Sequence, residues 1–198
     1  MPSKALIIHG YGGSNQGNWF PWLKTELKKI GWNVDAPNLP NTNKPQLTEQ
    51  LSVLANIWNS RELHTEGKRI LIGHSLGGSL LLHLLEQDWK DPLDIAIIVA
   101  STSHKNHLPE LEDYFATPHD FEKIKKNCKK FILIFSDNDP YINTETGPYY
   151  QHQLGENTEL FMIHDAGHFM GRDGYETFPM ILELIQKAYP LLSHLHAD

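Results

Sequence analysis

Ser75 sits in GHSLG, residues 73–77, between the apolar run RILIGH and the apolar segment LLLHLL. A serine hydroxyl is a weak nucleophile alone; it needs a base to take its proton and an acid to hold that base in the right tautomer. Both partners stand later in the chain, each after an apolar run. SDNDPY follows KFILIF and offers Asp137 and Asp139, while DAGHF follows ELFMIH and offers His168. Serine, acid and histidine in that order, each at a strand end, is the arrangement that a G-x-S-x-G turn requires on an α/β sheet. A lone serine in a glycine-rich turn reads as a helix N-cap. Three linked roles in order turn the reading toward acyl transfer through a covalent intermediate.

Of the two aspartates, the spacing favours Asp139. Ser136 ends the strand, two spacers follow, and the acid comes next, with Pro140 stiffening the backbone at that point. Asp137 is expected to cap the turn by accepting from amides two residues on. The oxyanion needs two backbone donors, expected from Leu76, directly after the serine, and from Tyr11 in the first glycine-rich turn, HGYGG. Trp19, Trp22, Tyr141 and Phe169 lie close by in sequence and are candidates for the substrate pocket, although core packing is the commoner fate of each. His74 reads as a packing or hydrogen-bonding residue rather than a second base.

These groups need a scaffold that brings distant strand ends together. KALIIH, RILIGH, DIAIIVA, KFILIF and ELFMIH, with the weaker WNVDAP, are short runs without polar alternation, which marks strands covered on both faces. Between them apolar residues recur at helical spacing: Trp22, Leu23, Leu27 and Ile30; Leu47, Leu51, Leu54 and Trp58; Leu76, Leu80 and Leu84; Phe178, Ile181, Leu182 and Ile185. The rhythm predicts one α/β domain over residues 1–190, a doubly wound parallel sheet of about six strands with helices on both faces and right-handed crossovers. Residues 101–118 form the longest irregular stretch and are expected to serve as a small lid or site wall. Residues 191–198 form a tail carrying His194 and His196.

Composition removes other classes. A chain of 198 residues with 40% hydrophobic content can bury a deep core. The one cysteine, Cys128, can form neither an intramolecular bridge nor a zinc cluster, and is expected to be a buried, reduced thiol in a cytoplasmic protein. A formal charge of −7 argues against nucleic acid as a partner, and no apolar run is long enough to span a bilayer. HGYGGSN supplies G-x-G, with Asp35 where a ribose-binding acid could stand, but the third glycine is replaced by Asn15 and no phosphate-binding GK[ST] follows. Nucleotide binding is therefore a distant alternative, and no cofactor is expected. Twelve histidines include the pairs His104 with His107 and His164 with His168, neither of which has the helical H-E-x-x-H form, so no metal is expected.

PSKALIIHGYGG, IGHSLGG, the block YFATPHDFEKIKKNC leading into FSDNDPY, and the closing DAGHF together resemble the retinoblastoma-binding protein 9 family of small serine hydrolases and the related YdeN-like bacterial proteins. The resemblance spans nearly the whole chain. It implies a compact α/β-hydrolase core and a triad on Ser75, Asp139 and His168, acting on a small carboxylic ester or amide. Vertebrate members carry an L-x-C-x-E segment for the retinoblastoma pocket; here LHTEG has Thr65 for the cysteine and Gly67 for the glutamate, so that interaction is not expected. The rival reading is a hydrolase fold kept as a protein-interaction module, which would have no need of all three triad residues.

Overall fold

The computed structural model describes residues 3–59, 67–102 and 108–190. The tail, residues 191–198, lies outside them, as do His104, His107 and most of LHTEG.

Six strands form one parallel sheet: β1 (Lys4–Ile8), β2 (Asn33–Asp35), β3 (Arg69–His74), β4 (Ile95–Val99), β5 (Phe131–Ser136) and β6 (Thr158–Ile163), in the order β2-β1-β3-β4-β5-β6. Every predicted strand is present. The order reverses direction at β1, so the ends of β1 and β3 open a crevice at the carboxyl edge of the sheet, the usual position for a ligand in such folds. Successive side chains of a strand point to opposite faces, and both faces are apolar. Ala5, Ile7, Ile70, Ile72, Ile97 and Ile134 pack under α1 (Phe20–Lys29) and α6 (Pro179–Ala188). Leu6, Ile8, Leu71, Ile98, Leu133 and Phe135 pack under α2 (Leu47–Asn59), α3 (Leu76–Leu85), α4 (Phe121–Asn127) and α5 (Thr146–Leu154). This explains why β1, β3, β4 and β5 carry no polar alternation; the edge strands β2 and β6 are partly exposed.

Helices α4 and α5 were not legible from periodicity. The first is seven residues long and buries only Ile124 and Asn127; the second, TGPYYQHQL, holds a glycine and a proline in its first turn. Cys128 is buried at the end of α4, and burial pushes its thiol up to about 12.

After β4 the chain forms a 3-10 helix, Pro109–Tyr114, within the predicted wall segment. Two elements hold it. The Asp113 carboxylate accepts from the Leu47 amide at 2.8 Å, capping α2. The Tyr114 carbonyl accepts from His83 Nε2 at 2.9 Å, and Asp120 N donates to Glu86 Oε1 at 2.7 Å, so the end of α3 holds the chain at the end of the 3-10 helix and again at the start of α4.

Candidate active site

The turn from β3 into α3 is tighter than any side chain would permit at its flanks. A Cβ on Gly73 would lie 2.5 Å from the Gly77 carbonyl oxygen, and one on Gly77 would overlap the carbonyl oxygen of Ile8 in β1. Between them Ser75 takes φ 56° and ψ −128°, a strained backbone for a residue with a side chain. Its amide donates to Val99 O at 2.9 Å and its carbonyl accepts from Gly78 N at 2.9 Å, which fixes that conformation from both sides. The turn therefore lifts the Ser75 hydroxyl off the sheet edge into a cavity of about 550 Å³, which His168 also lines. Leu76 opens α3, so its amide has no intrahelical acceptor and lies at the positive end of the helix dipole.

The glycine-rich turn after β1 runs alongside. Gly12 N donates to Thr42 O at 2.8 Å and Gly13 N to Gly10 O at 3.1 Å, which commits those amides and leaves Tyr11 N as the other expected donor at the cavity. A Cβ on Gly10 would lie 2.7 Å from Ser75 Cβ, so the loop can come this close only as glycine. His9 holds the loop from beneath: Nε2 accepts from Leu39 N at 3.0 Å, which places the proton on Nδ1, where it donates to Gly10 O at 3.0 Å. Burial lowers the His9 pKa and so favours this neutral tautomer.

Asp139 and His168 meet. His168 Nδ1 donates to Asp139 Oδ2 at 2.7 Å, with both side chains almost wholly buried. The other oxygen, Oδ1, accepts from Tyr141 N at 2.8 Å and Ile142 N at 3.1 Å, so the turn fixes the carboxylate before the histidine arrives. All four residues of SDND stitch the β5 loop to the β6 loop. Ser136 Oγ accepts from Ala166 N, Asp137 Oδ1 from Asp165 N, and Asn138 Oδ1 from Gly167 N, at 3.1, 2.9 and 2.7 Å. Asp137 thus does not cap its own turn as expected. It pins the neighbouring loop and pairs with the exposed His164 at 2.7 Å, while Asp139 is the residue that bonds amides further along its turn. The Asp165 amide, and after it His164, lower the Asp137 pKa, and the Asp137 carboxylate raises that of His164.

His74 and Asp173 position His168 from behind. His74 is buried, and its Nε2–H donates to the His168 carbonyl at 2.8 Å. Desolvation, with His168 beside it, lowers its pKa to about 3, so it stays neutral. Asp173 Oδ2 accepts from both His168 N and Met170 N at 3.0 Å. His74 is thus a buried hydrogen-bonding residue, as expected from the sequence, while the role of Asp173 was not visible there, because it acts on backbone amides of a loop whose path the sequence does not specify.

The pocket candidates divide. Tyr141 lines the cavity with its ring edge-on to His168, centroids 5.0 Å apart. Trp19 and Phe169 do not line it; they are fully buried in the core below. Phe169 has φ 55°, which turns its ring inward to stack on Phe178 at 5.3 Å, and Trp19 Nε1 donates to the Phe169 carbonyl. Trp22 packs against the same core. Proximity in sequence to Tyr11 or His168 did not indicate the side of the chain on which these rings fall. From the wall segment, Thr102, Leu108, Leu111 and Phe115 line the cavity, joined by Phe20, Ile142 and Met170.

Among the described residues, His83, Glu86 and His119 bring potential metal-ligand atoms within 4.8 Å of one another. Glu86 already accepts from His83 Nδ1 at 2.9 Å, His119 Nδ1 at 3.2 Å and the Asp120 amide. Those bonds make the trio a hydrogen-bonded clasp between the end of α3 and the start of α4. His164 and His168 bond separate aspartates and do not converge on a shared site.

The comparisons with known proteins agree with this architecture. A family model described as serine hydrolase matches residues 5–187. The chain is 27% identical over 187 residues to YdeN of Bacillus subtilis (strain 168), covering 93% of this chain and 95% of that one. It is likewise 27% identical over 194 residues to Serine hydrolase RBBP9 of Rattus norvegicus, covering 94% and 98%. The crystal structure of the B. subtilis ydeN gene product superposes with a TM-score of 0.84 at 26% identity, covering 94% of this chain and 98% of the other. The esterase domain of a Rhodothermus marinus protein shares the fold alone, with a TM-score of 0.69 at 13% identity, covering 95% and 88%. A parallel α/β sheet with a strained serine at its crevice, matched by that family model over nearly its whole length, identifies the chain as a member of the serine hydrolase family.

Proposed function

We propose that the protein hydrolyses small carboxylic esters or amides through an acyl-enzyme on Ser75, with His168 as general base and acid and Asp139 as the orienting carboxylate. In the first half-reaction His168 Nε2 takes the Ser75 proton as Oγ attacks the substrate carbonyl. The amides of Leu76 and Tyr11 stabilise the oxyanion, and the same histidine protonates the leaving oxygen or nitrogen. In the second, water attacks the acyl carbonyl, gives its proton to His168, and the Ser75 hydroxyl is regenerated. The Asp139 carboxylate keeps the proton on Nδ1, so that Nε2 faces the serine as an acceptor, and it stabilises the imidazolium formed in each half.

The observation that carries this reading is the 2.7 Å bond from His168 Nδ1 to a buried carboxylate, with His168 lining the same cavity as the strained Ser75. The apolar lining from the wall segment suits an acyl chain. No helix among the described residues is long and apolar enough to cross a membrane, and a buried, unpaired Cys128 suits a reducing cytoplasm. The test is labelling with an organophosphonate followed by peptide mapping. Modification at Ser75, with loss of both labelling and ester turnover in Ser75→Ala, is expected; a labelled residue elsewhere, or turnover that survives Ser75→Ala, refutes the reading.

A further inference from the structure

The cavity lining is electrostatically one-sided. The chain carries 24 acidic residues against 17 basic ones, yet the described residues lining the cavity include no aspartate or glutamate and one arginine, Arg172. Arg172 stands in the short 3-10 helix Gly171–Asp173 that follows His168. Its Nη2 donates to the Tyr141 hydroxyl at 2.6 Å, and its guanidinium carbon lies over the Tyr141 ring, 5.6 Å from the centroid. That same ring meets His168 edge-on at 5.0 Å. The cation is thus fixed one aromatic ring away from the imidazole.

A second donor stands beside it. Asn18 lines the cavity with a strained backbone, φ 51°, and its Oδ1 accepts from Gly171 N at 3.0 Å. With the oxygen held on that amide, the NH₂ group is left as the donor that the side chain offers to other partners. The nearest carboxylate, Asp173, is bound to backbone amides through Oδ2, and its Oδ1 lies 3.9 Å from Arg172 Nε, a long contact between partly exposed groups. Such a pair is worth little against a ligand that can take two parallel N–H bonds from the guanidinium fork.

We propose that Arg172, with Asn18 and the Tyr141 platform, forms a carboxylate-binding subsite for the leaving-group side of the substrate. The side follows from the mechanism proposed above, on which this inference rests: His168 delivers its proton to the leaving atom, so the leaving group lies against the imidazole, and Tyr141 and Arg172 come next along that direction. Acyl chains face the apolar lining of Leu108, Leu111 and Phe115. The substrate class is therefore an ester or amide with an apolar acyl group and a carboxylate on its alcohol or amine part.

Three butyrate-sized probes test this. 4-Carboxyphenyl butyrate carries the anion on the leaving group, 4-carbamoylphenyl butyrate is its neutral isostere, and phenyl hydrogen glutarate carries the anion on the acyl side. A charge-assisted contact predicts that kcat/KM for the carboxyphenyl ester exceeds that for the carbamoyl ester by roughly tenfold or more at low ionic strength, mostly through KM. The ratio should fall in 0.5 M NaCl, collapse toward one in Arg172→Gln, and be partly retained in Arg172→Lys. Equal rates for the two esters in the wild type, a ratio unchanged in Arg172→Gln, or a stronger preference for the glutarate ester would each overturn the subsite. Failure of the underlying reading looks different: hydrolysis of the neutral carbamoyl ester would survive Ser75→Ala.

Discussion

Replacing Asp139 by asparagine changes one atom, and the hydrogen bonds around that carboxylate define what the change does. Oδ1 accepts from two amides, Tyr141 N and Ile142 N, while Oδ2 accepts from His168 Nδ1. The two amides can only donate, so the asparagine must place its carbonyl oxygen toward them and its NH₂ toward His168. That NH₂ is a donor, and the histidine can meet it only by giving up the Nδ1 proton and carrying the proton on Nε2, the nitrogen that the proposed mechanism needs as an acceptor for Ser75. A trapped tautomer of this kind costs on the order of 10⁴ in kcat, about 5.5 kcal/mol of transition-state stabilisation, with the residual rate coming from the oxyanion donors and substrate binding. Folding should suffer far less. The two amide bonds persist and a neutral bond replaces a charge-assisted one, a loss of about 1 kcal/mol. Asp137→Asn provides the contrast: it keeps an oxygen for the Asp165 amide and weakens only an exposed pair with His164. The assay is kcat on a short-chain aryl ester at neutral pH, alongside urea denaturation, for both variants. If Asp139→Asn works within tenfold of wild type while Asp137→Asn is crippled, the tautomer argument and the assignment of the acid both fail.

Two further predictions concern the scaffold. Gly77→Ala should cost about 3 kcal/mol or more, because its Cβ would meet the backbone oxygens of Ile8 and His9, which cannot turn away; Gly171→Ala, whose Cβ would find nothing nearer than 3.8 Å, should be close to neutral by urea denaturation. Stability should also fall as pH drops below neutrality. His74 has a pKa of about 3 when folded against an ordinary 6.5, so between those values the unfolded chain binds the extra proton; stability is full above about 6.5 and declines by at most about 1.4 kcal/mol per pH unit on acidification through that window. His74→Gln, which can still donate to the His168 carbonyl, should flatten that slope, and a slope unchanged in the variant would show that the proton goes elsewhere.

What the sequence revealed and what it concealed divide along a physical line. The central strands β1, β3, β4 and β5 were legible because both faces of the sheet are buried there, which leaves them continuously apolar, whereas the edge strand β2, Asn33–Asp35, buries only Val34 and gave the weakest signal. Ser75 was legible because the glycines at 73 and 77 exist only to let backbones touch, and Asp139 because Ser136 and Pro140 bracket its turn. Side-chain direction at irregular backbone was not legible. Phe169 and Asn18 both have positive φ, and that single dihedral sends the ring into the core and brings the amide to the cavity wall, against what proximity in sequence suggested for Trp19 and Phe169. The helpers that act through backbone atoms, His9 and Asp173, were invisible for a related reason, and His74 was legible as a hydrogen-bonding residue but not in its partner: the partners are carbonyls and amides, which every residue has. A run of four side-chain acceptors, SDND, was the one available hint that the two loops are sewn together.

The contacts at Gly73 and Gly77 divide the molecule into two parts with different freedom to drift. At the two glycines that flank the serine, backbone meets backbone, and a side chain on either collides with an atom that cannot yield. The cavity is walled instead by side chains such as Leu108, Leu111, Phe115 and Arg172, carried on short helical turns and irregular backbone beyond the strand ends, where a change of size or charge has room to be absorbed. A lineage carrying this fold can therefore change what it recognises one residue at a time while the machinery beneath stays still. In the laboratory, a library confined to those walls would sample new specificities with most members still folded, whereas substitutions at Gly73 and Gly77 would mainly sample unfolded chains.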